Sequence, residues 1–204
     1  MLAVEVWAFA RANLPPPPAR VLEVGAGDGA LARGLTAAGY EVLAIDPEPS
    51  GESVLPVALH EFEHAPAFDA ALAVVSLHHV EPLEQSCRRL GELVRPGGAL
   101  LVDELDVDAF DERAAAWLLA QWRLLGDLHE ETSATAIVAD LREHIHPVSR
   151  IVAALEADFD LAAPVRGSYL YRWNLPESLR AAEEALIAQG ALPAVGVRFV
   201  GRRQ

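Results

Sequence analysis

The chain contains no lysine; all sixteen of its basic residues are arginines. That excludes a Schiff-base lysine, an anchor for pyridoxal phosphate and the phosphate-cradling lysine of a P-loop, each of which needs a primary amine. Cysteine is almost as scarce. The single Cys87 cannot close a disulfide within the chain or build a thiolate metal cluster, and a reducing cytoplasm is its expected setting. Positive charge is also short, with 16 basic residues against 30 acidic ones and a formal charge of −14. That argues against a phosphate backbone, and therefore against nucleic acid, as the main partner. No apolar run approaches the ~20 residues needed to span a bilayer, so no membrane partner is expected. The stretch from Met1 to Asn13 carries Glu5 and Arg11, lacks a basic start and runs into four prolines instead of a small-residue cleavage site. It reads as a short amphipathic helix, not a secretory signal.

What is present points to one α/β domain, because 204 residues with 52% hydrophobic content can bury a sizeable core. The informative stretch is VLEVGAGDGALARGLTAAGYEVLAID, Val21 to Asp46. Val21, Leu22 and Val24 make a short buried strand, and Gly25, Gly27 and Gly29 break it where the chain turns. Leu31, Leu35 and Ala38 then share one helical face, Gly39 suits the helix end, and Val42, Leu43 and Ile45 start a second strand that stops at Asp46. Glycines let a ligand lie against bare backbone amides and the helix N-terminus, and a carboxylate at the second strand's tip is placed for ribose hydroxyls. The turn fits two fingerprints. Gly25, Gly27 and Ala30 read as G-x-G-x-x-A of a dinucleotide site, with Asp46 near the expected ~20 residues downstream. Glu23, Gly25, Gly27 and Gly29 read equally well as E-x-G-x-G-x-G. The glycines alone leave both open.

Pro15 to Pro18 is a stiff spacer. Trp7 and Phe9 before it are expected to pack on the sheet. Val54 to Leu59 reads as a weak third strand, interrupted by Pro56, with His60 and Glu61 at its tip where a base bound beside Asp46 would reach. Phe68 to Val80 holds a nearly all-apolar fourth strand ending in Ser76, Leu77, His78 and His79 at the same edge. Of the adjacent histidines, one can line the crevice while the other packs or bonds to backbone; with no third ligand spaced nearby, no metal site is expected. Pro82 to Val94 is an amphipathic helix stopped by Arg95, Pro96, Gly97 and Gly98, after which Ala99 to Val102 runs into a fifth strand tipped by Asp103 and Glu104.

The succession VLEVGAGDG, AIDPEP, FDAALAVVSLHHV and LGELVRPGGALLVDE resembles the small class I S-adenosylmethionine-dependent methyltransferases of the methyltransferase domain 11 type, almost continuously from Val21 to Glu104. The resemblance implies a Rossmann-like fold: a mostly parallel seven-stranded sheet with an antiparallel last strand slotted between strands five and six, and a helical cap. It implies S-adenosyl-L-methionine as cofactor. The glycine turn (Glu23, Gly25, Ala26, Gly27, Gly29) would hold its methionine part, Asp46 with Pro47 the ribose, His60 and Glu61 the base, and Ser76 and Leu77 would flank the donor. The adenine segment HEFEHAP departs from the aspartate-rich form usual in the family.

Asp106 to Leu128 and Thr135 to His144 read as cap helices, and Val148 to Ala157 as a further one. Fourteen of the acidic residues lie between Asp103 and Asp160 against four arginines, a solvated acidic face or a rim for a cationic acceptor. His129, His144 and His146 are the candidates for a base, with a structural role the simpler reading of each. Ser168 to Trp173 reads as strand six with Tyr169 and Tyr171 on one face, Pro176 to Gln189 as a helix, and Ala194 to Val200 as the last strand. A single domain is expected: residues 1–19 form a helix and spacer, 20–105 the cofactor core, 106–157 the cap and 158–204 the closing strands and helix. The expected activity is in-line methyl transfer to a small-molecule acceptor. A nicotinamide-dinucleotide oxidoreductase or a non-catalytic cofactor-binding domain are the alternatives.

Overall fold

Strand β1 (Arg20–Val24) is buried from its second residue to its last, as the run Val21, Leu22, Glu23, Val24 requires of a parallel strand covered on both faces. The computed structural model describes residues 4–65, 68–126 and 133–204. β1 pairs in parallel with β2 (Glu41–Asp46) on one side and β4 (Phe68–Val74) on the other. β2 continues to the two-residue β3 (Leu55–Pro56), and β4 to β5 (Val94–Leu105), again in parallel. The full order is β3-β2-β1-β4-β5-β8-β6, with β6 (Phe159–Leu161) antiparallel to β8 (Gly196–Arg203) and the short β7 (Val165–Gly167) paired to β8 off that path. The expected seven-stranded path, with its last strand between strands five and six, is present and carries one extra short strand.

Two compact units share the chain: Met1–Glu104 with Ser149–Pro164 and Arg198–Gln204, and Leu105–Val148 with Val165–Val197. In the first, helix α1 (Val4–Asn13) and helix α2 (Ala30–Ala37) cover one face of the sheet. Val6, Ala10, Leu31 and Leu35 bury against Val21, Leu72 and Leu101, and Trp7 and Phe9 pack on the same cluster, as expected. A Cβ at Gly34 of α2 would stand 3.1 Å from the Trp7 ring, so glycine there lets the indole lie close. Helix α3 (Leu83–Leu93) buries Leu83, Cys87 and Leu90 at the predicted spacing. Helix α6 (Val148–Leu155) leads into β6.

In the second unit, helix α4 (Glu112–Leu125) is capped by Asp111, whose side chain accepts from Arg113 and Ala114 N–H, and ends at left-handed Gly126. Helix α5 (Ala134–His144) starts on Ser133, which caps Ala136 N–H. Helix α7 (Arg180–Ala188) follows the C-terminal turn segment.

One sequence expectation is corrected. Ser168 to Trp173 is not a strand; Leu170–Arg172 form a 3₁₀ turn. The reason is Glu183 of α7, fully buried, whose Oε1 accepts the N–H groups of Tyr169 (2.7 Å) and Leu170 (2.9 Å) and whose Oε2 accepts that of Tyr171 (2.9 Å). Three successive donors captured by one carboxylate curl the chain, and no ladder can use them. The Tyr169 and Tyr171 side chains are both buried. Strand six falls instead at Phe159–Leu161.

Candidate functional site

The sheet reverses its strand order between β1, whose chain continues to β2 and β3 on one side, and β4, which opens the other side. Such a switch point leaves a crevice beyond the carboxyl ends of the strands. A cavity of about 410 Å³ opens there, lined by Val24 and Gly25 at the end of β1, Ile45 to Glu48 at the end of β2, Val57 to His60 after β3, and Val75, Ser76 and His79 to Glu81 after β4.

Each wall has a local cause. Gly25 sits at φ 70° and Gly27 at φ 54°, values that L side chains adopt only with strain. A Cβ on Gly25 would stand 2.2 Å from the Cβ of Ser76, so only glycine allows the turn to close on the β4 tip; a Cβ on Gly27 would meet nothing within 4 Å. Gly29, also left-handed, caps α2. The Asp46 carboxylate ties the turn to β2: Oδ2 accepts the Gly27 N–H at 2.9 Å and Oδ1 that of Glu48 at 2.9 Å. His60 stands on a 3₁₀ turn, Leu59–Glu61, and its buried Nδ1 has no hydrogen-bond partner among the described residues.

The β4 tip is held most firmly. Val75 lies at φ 52°, an outlier for a β-branched residue that costs about 1–3 kcal/mol and persists only when its surroundings over-determine it. Val75 N–H donates to Asp103 O at 2.8 Å, and Ser76 Oγ–H donates to Val24 O at 2.9 Å. Buried Glu104 accepts the N–H groups of Ser76 and Leu77 and lies 2.5 Å from His78 Nδ1. Of the two histidines, His78 is buried and His79 lines the cavity, the expected division, although both stand on a 3₁₀ turn, Leu77–His79, and not on a strand.

Gly25, Asp46, Pro47, His60 and Ser76 thus meet at one cleft. Glu23, Ala26, Gly27, Gly29, Glu61 and Leu77 do not line it. Glu23 is buried within β1, and that burial pushes its carboxyl up to about 7; its Oε2 has no partner among the described residues. Leu77 is fully buried, and Glu61 lines a separate polar groove with Arg88 and Arg89. His144 and His146 belong to the other unit. His144 is exposed, and its Nδ1 bonds to the Asp140 carbonyl at the end of α5; that bond, with the Asp140 charge, raises its pKa. His146 is buried. His129 lies outside the described residues. Sequence reasoning passed over Glu48 and Val57, and above all Glu104. Glu48 had a signal, standing two residues after Asp46 in AIDPEP. Among the described residues no group of three or more His, Cys, Asp or Glu could hold a metal, and no helix is long and apolar enough to cross a membrane.

A glycine turn and a carboxylate meeting at the switch point of a mostly parallel sheet define a Rossmann-like domain built to hold a nucleoside-containing ligand. The family model described as Methyltransferase domain matches residues 5–151, most of the chain, and the chain belongs to that family. An uncharacterised methyltransferase of Mycobacterium tuberculosis is 28% identical over 176 residues, covering 76% of this chain and 87% of that protein. The ubiquinone biosynthesis O-methyltransferase of Xanthomonas axonopodis is 32% identical over 116 residues, 48% of either chain. Among solved structures, an S-adenosylmethionine dependent methyltransferase from Mesorhizobium loti superposes with a TM-score of 0.62 at 17% identity, over 97% of both chains. The resemblance to class I methyltransferases read from the four motifs is borne out. Family membership favours methyl transfer over the dinucleotide reading of the same glycines.

Proposed function

We propose that the protein transfers the methyl group of S-adenosylmethionine to a small-molecule acceptor and that the cleft beyond β1, β2 and β4 holds the cofactor. The observation that carries this is the meeting of Asp46 with a glycine turn that is open at Gly27. Among the described residues two of the roughly four lone-pair positions on the carboxylate are engaged, which leaves acceptors for both ribose hydroxyls. His60 stands in the wall where a base beside the ribose would reach, and a cleft of about 410 Å³ is in the range of small-molecule sites. When bound, S-adenosylmethionine supplies a methyl carbon on a cationic sulfur, an electrophile that needs little acid–base help. The protein's part is then positioning. Asp46 orients the nucleoside, the rigid β4 tip fixes one wall, and Val57, Leu59, Val75 and Val80 keep water from it. A base is needed only for a poorly ionised hydroxyl or a protonated amine. The relative named for ubiquinone biosynthesis and the charge of −14 both support a small-molecule acceptor over nucleic acid.

Titration calorimetry with S-adenosylmethionine, S-adenosylhomocysteine and NAD tests the reading. The first two should bind and NAD should not, and Asp46→Ala should weaken binding by about 10–100-fold, the worth of charge-assisted hydrogen bonds. Uptake of NAD alone, or of none of the three, would refute it.

A further inference from the structure

Glu104, near the end of β5, has no solvent exposure and lies outside the cleft lining, yet its carboxylate grips three successive residues of the β4 tip. Oε1 accepts the N–H of Ser76 at 3.0 Å and of Leu77 at 2.7 Å, and Oε2 accepts the Nδ1–H of His78 at 2.5 Å. The groups so held are the ones that shape the cleft. Ser76 reaches across to β1, donating its hydroxyl to Val24 O at 2.9 Å, and its Cβ fills the space beside Gly25. Val75, one residue earlier, is in its strained left-handed conformation. The His78 ring packs at a tilt of 51° against that of His79, 4.2 Å between centroids, and His79 lines the cleft. A buried carboxylate is a costly way to stabilise a fold, since an apolar side chain of similar size serves that end as well or better. What an apolar side chain cannot do is accept from three donors in two directions and fix their relative placement.

We propose that Glu104 is a positioning residue of the cofactor cleft. Through Ser76, Leu77 and His78 it clamps the β4 tip in its strained shape, and through Ser76 it sets the Gly25 turn against that tip. The proposal rests on the cleft being the cofactor site. His78 is the second member of the clamp: its imidazole fixes the rotation of the carboxylate that the two backbone bonds leave free.

The test uses the full chain and the variants Glu104→Gln, His78→Phe and their combination. Glutamine keeps an oxygen for the two backbone N–H groups but presents an amide N–H to His78 Nδ1, which must give up its proton to accept. S-adenosylhomocysteine affinity is measured by calorimetry at a temperature where near- and far-UV circular dichroism of each variant match the wild type, so that only folded protein is compared. Glu104→Gln should bind about tenfold more weakly than wild type, one charge-assisted hydrogen bond's worth. In the His78→Phe background the same substitution should cause little further loss, because the two residues act as a unit. Unchanged affinity in folded Glu104→Gln, whatever its melting temperature, would show a role in the fold alone and overturn the proposal, as would a full second loss in the His78→Phe background. Should Glu104→Gln fail to fold, His78→Phe carries the test, since it leaves both backbone bonds in place: a tenfold loss supports the clamp and wild-type affinity overturns it. Wild type that takes up no S-adenosylhomocysteine would instead sink the reading of the cleft itself.

Discussion

Replacing Gly25 by alanine would set a Cβ 2.2 Å from the Cβ of Ser76 and 3.0 Å from its Oγ, at a φ of +70°. Ser76 cannot step aside. Its N–H is held by Glu104 and its hydroxyl by Val24 O. The left-handed conformation costs an L residue about 1–2 kcal/mol, and overpacking against a fixed neighbour adds about 1–3 kcal/mol. A loss of roughly 2–5 kcal/mol is expected, which in a chain of this length lowers the melting temperature by roughly 5–20 °C. Alanine at Gly27 meets the same backbone strain, with φ +54°, but no atom within 4 Å. It should therefore cost only about 1–2 kcal/mol of stability. For binding the order reverses. Gly27 stands beside the cleft and not in its lining, so the prediction rests on the cofactor reaching past the lining onto the open side of the turn, next to the amide that Asp46 orients; there the new methyl should weaken S-adenosylhomocysteine affinity about tenfold. Thermal melts followed by circular dichroism and calorimetry on the two variants check both halves. Gly25→Ala melting no lower than Gly27→Ala would refute the packing argument, and wild-type affinity in Gly27→Ala would refute the placement of the ligand.

Two further outcomes concern buried titrating groups. Burial, with a smaller push from the Asp28 charge, raises the Glu23 carboxyl from an ordinary 4.5 to about 7, against a backbone hydrogen bond at Ala32 and the Arg33 charge. The folded state thus holds this proton more tightly than the unfolded chain, so the group's stabilisation is full below about pH 4.5 and is lost as pH rises through about 7, an order of ~3 kcal/mol. Glu23→Gln should then match wild type in urea denaturation near pH 4.5 and exceed it by ~3 kcal/mol near pH 8; parallel pH profiles would contradict this. Burial pushes the Cys87 thiol up to about 12, so a disulfide exchange reagent should label it only as fast as the protein unfolds; rapid labelling in native buffer would show the site to be open.

How far the chain could be read in advance follows from the range of the forces involved. The unit from β1 through α2 to β2 was legible because its signals are local: a strand that must be buried on both faces, glycines at the positions that turn out to have positive φ, and a carboxylate at a strand tip. The division between a buried His78 and a cleft-lining His79 was expected from strand alternation, but the two stand on a 3₁₀ turn, Leu77–His79, where it is the bond of His78 to Glu104 that separates them. Glu61 was another matter. Its neighbour His60 lines the cleft, but a 3₁₀ turn at Leu59–Glu61 carries the Glu61 side chain to the groove of Arg88 and Arg89. Sequence spacing marks where a strand ends and says little about which way the next turn runs.

The two largest omissions share one physical cause. Glu104 and Glu183 each lie fully buried and each accept successive backbone N–H groups from a distant turn, Ser76 and Leu77 in one unit, Tyr169 to Tyr171 in the other. In sequence both look like surface glutamates, one closing an acidic strand tip and one within a charged helix. Their partners lie 27 to 28 residues away for Glu104 and 12 to 14 for Glu183, beyond any helical or strand periodicity. A carboxylate that captures adjacent N–H donors removes them from every ladder, which is why the tyrosine segment, apolar and alternating as a strand should be, is a 3₁₀ turn. The same capture at the β4 tip ends that strand at Val74 and bends the chain through Val75 into the cleft wall. Glu183 therefore undoes a strand expectation in one unit, and Glu104 shapes the site in the other. Local pattern predicts where backbone could pair, and tertiary acceptors decide where it does.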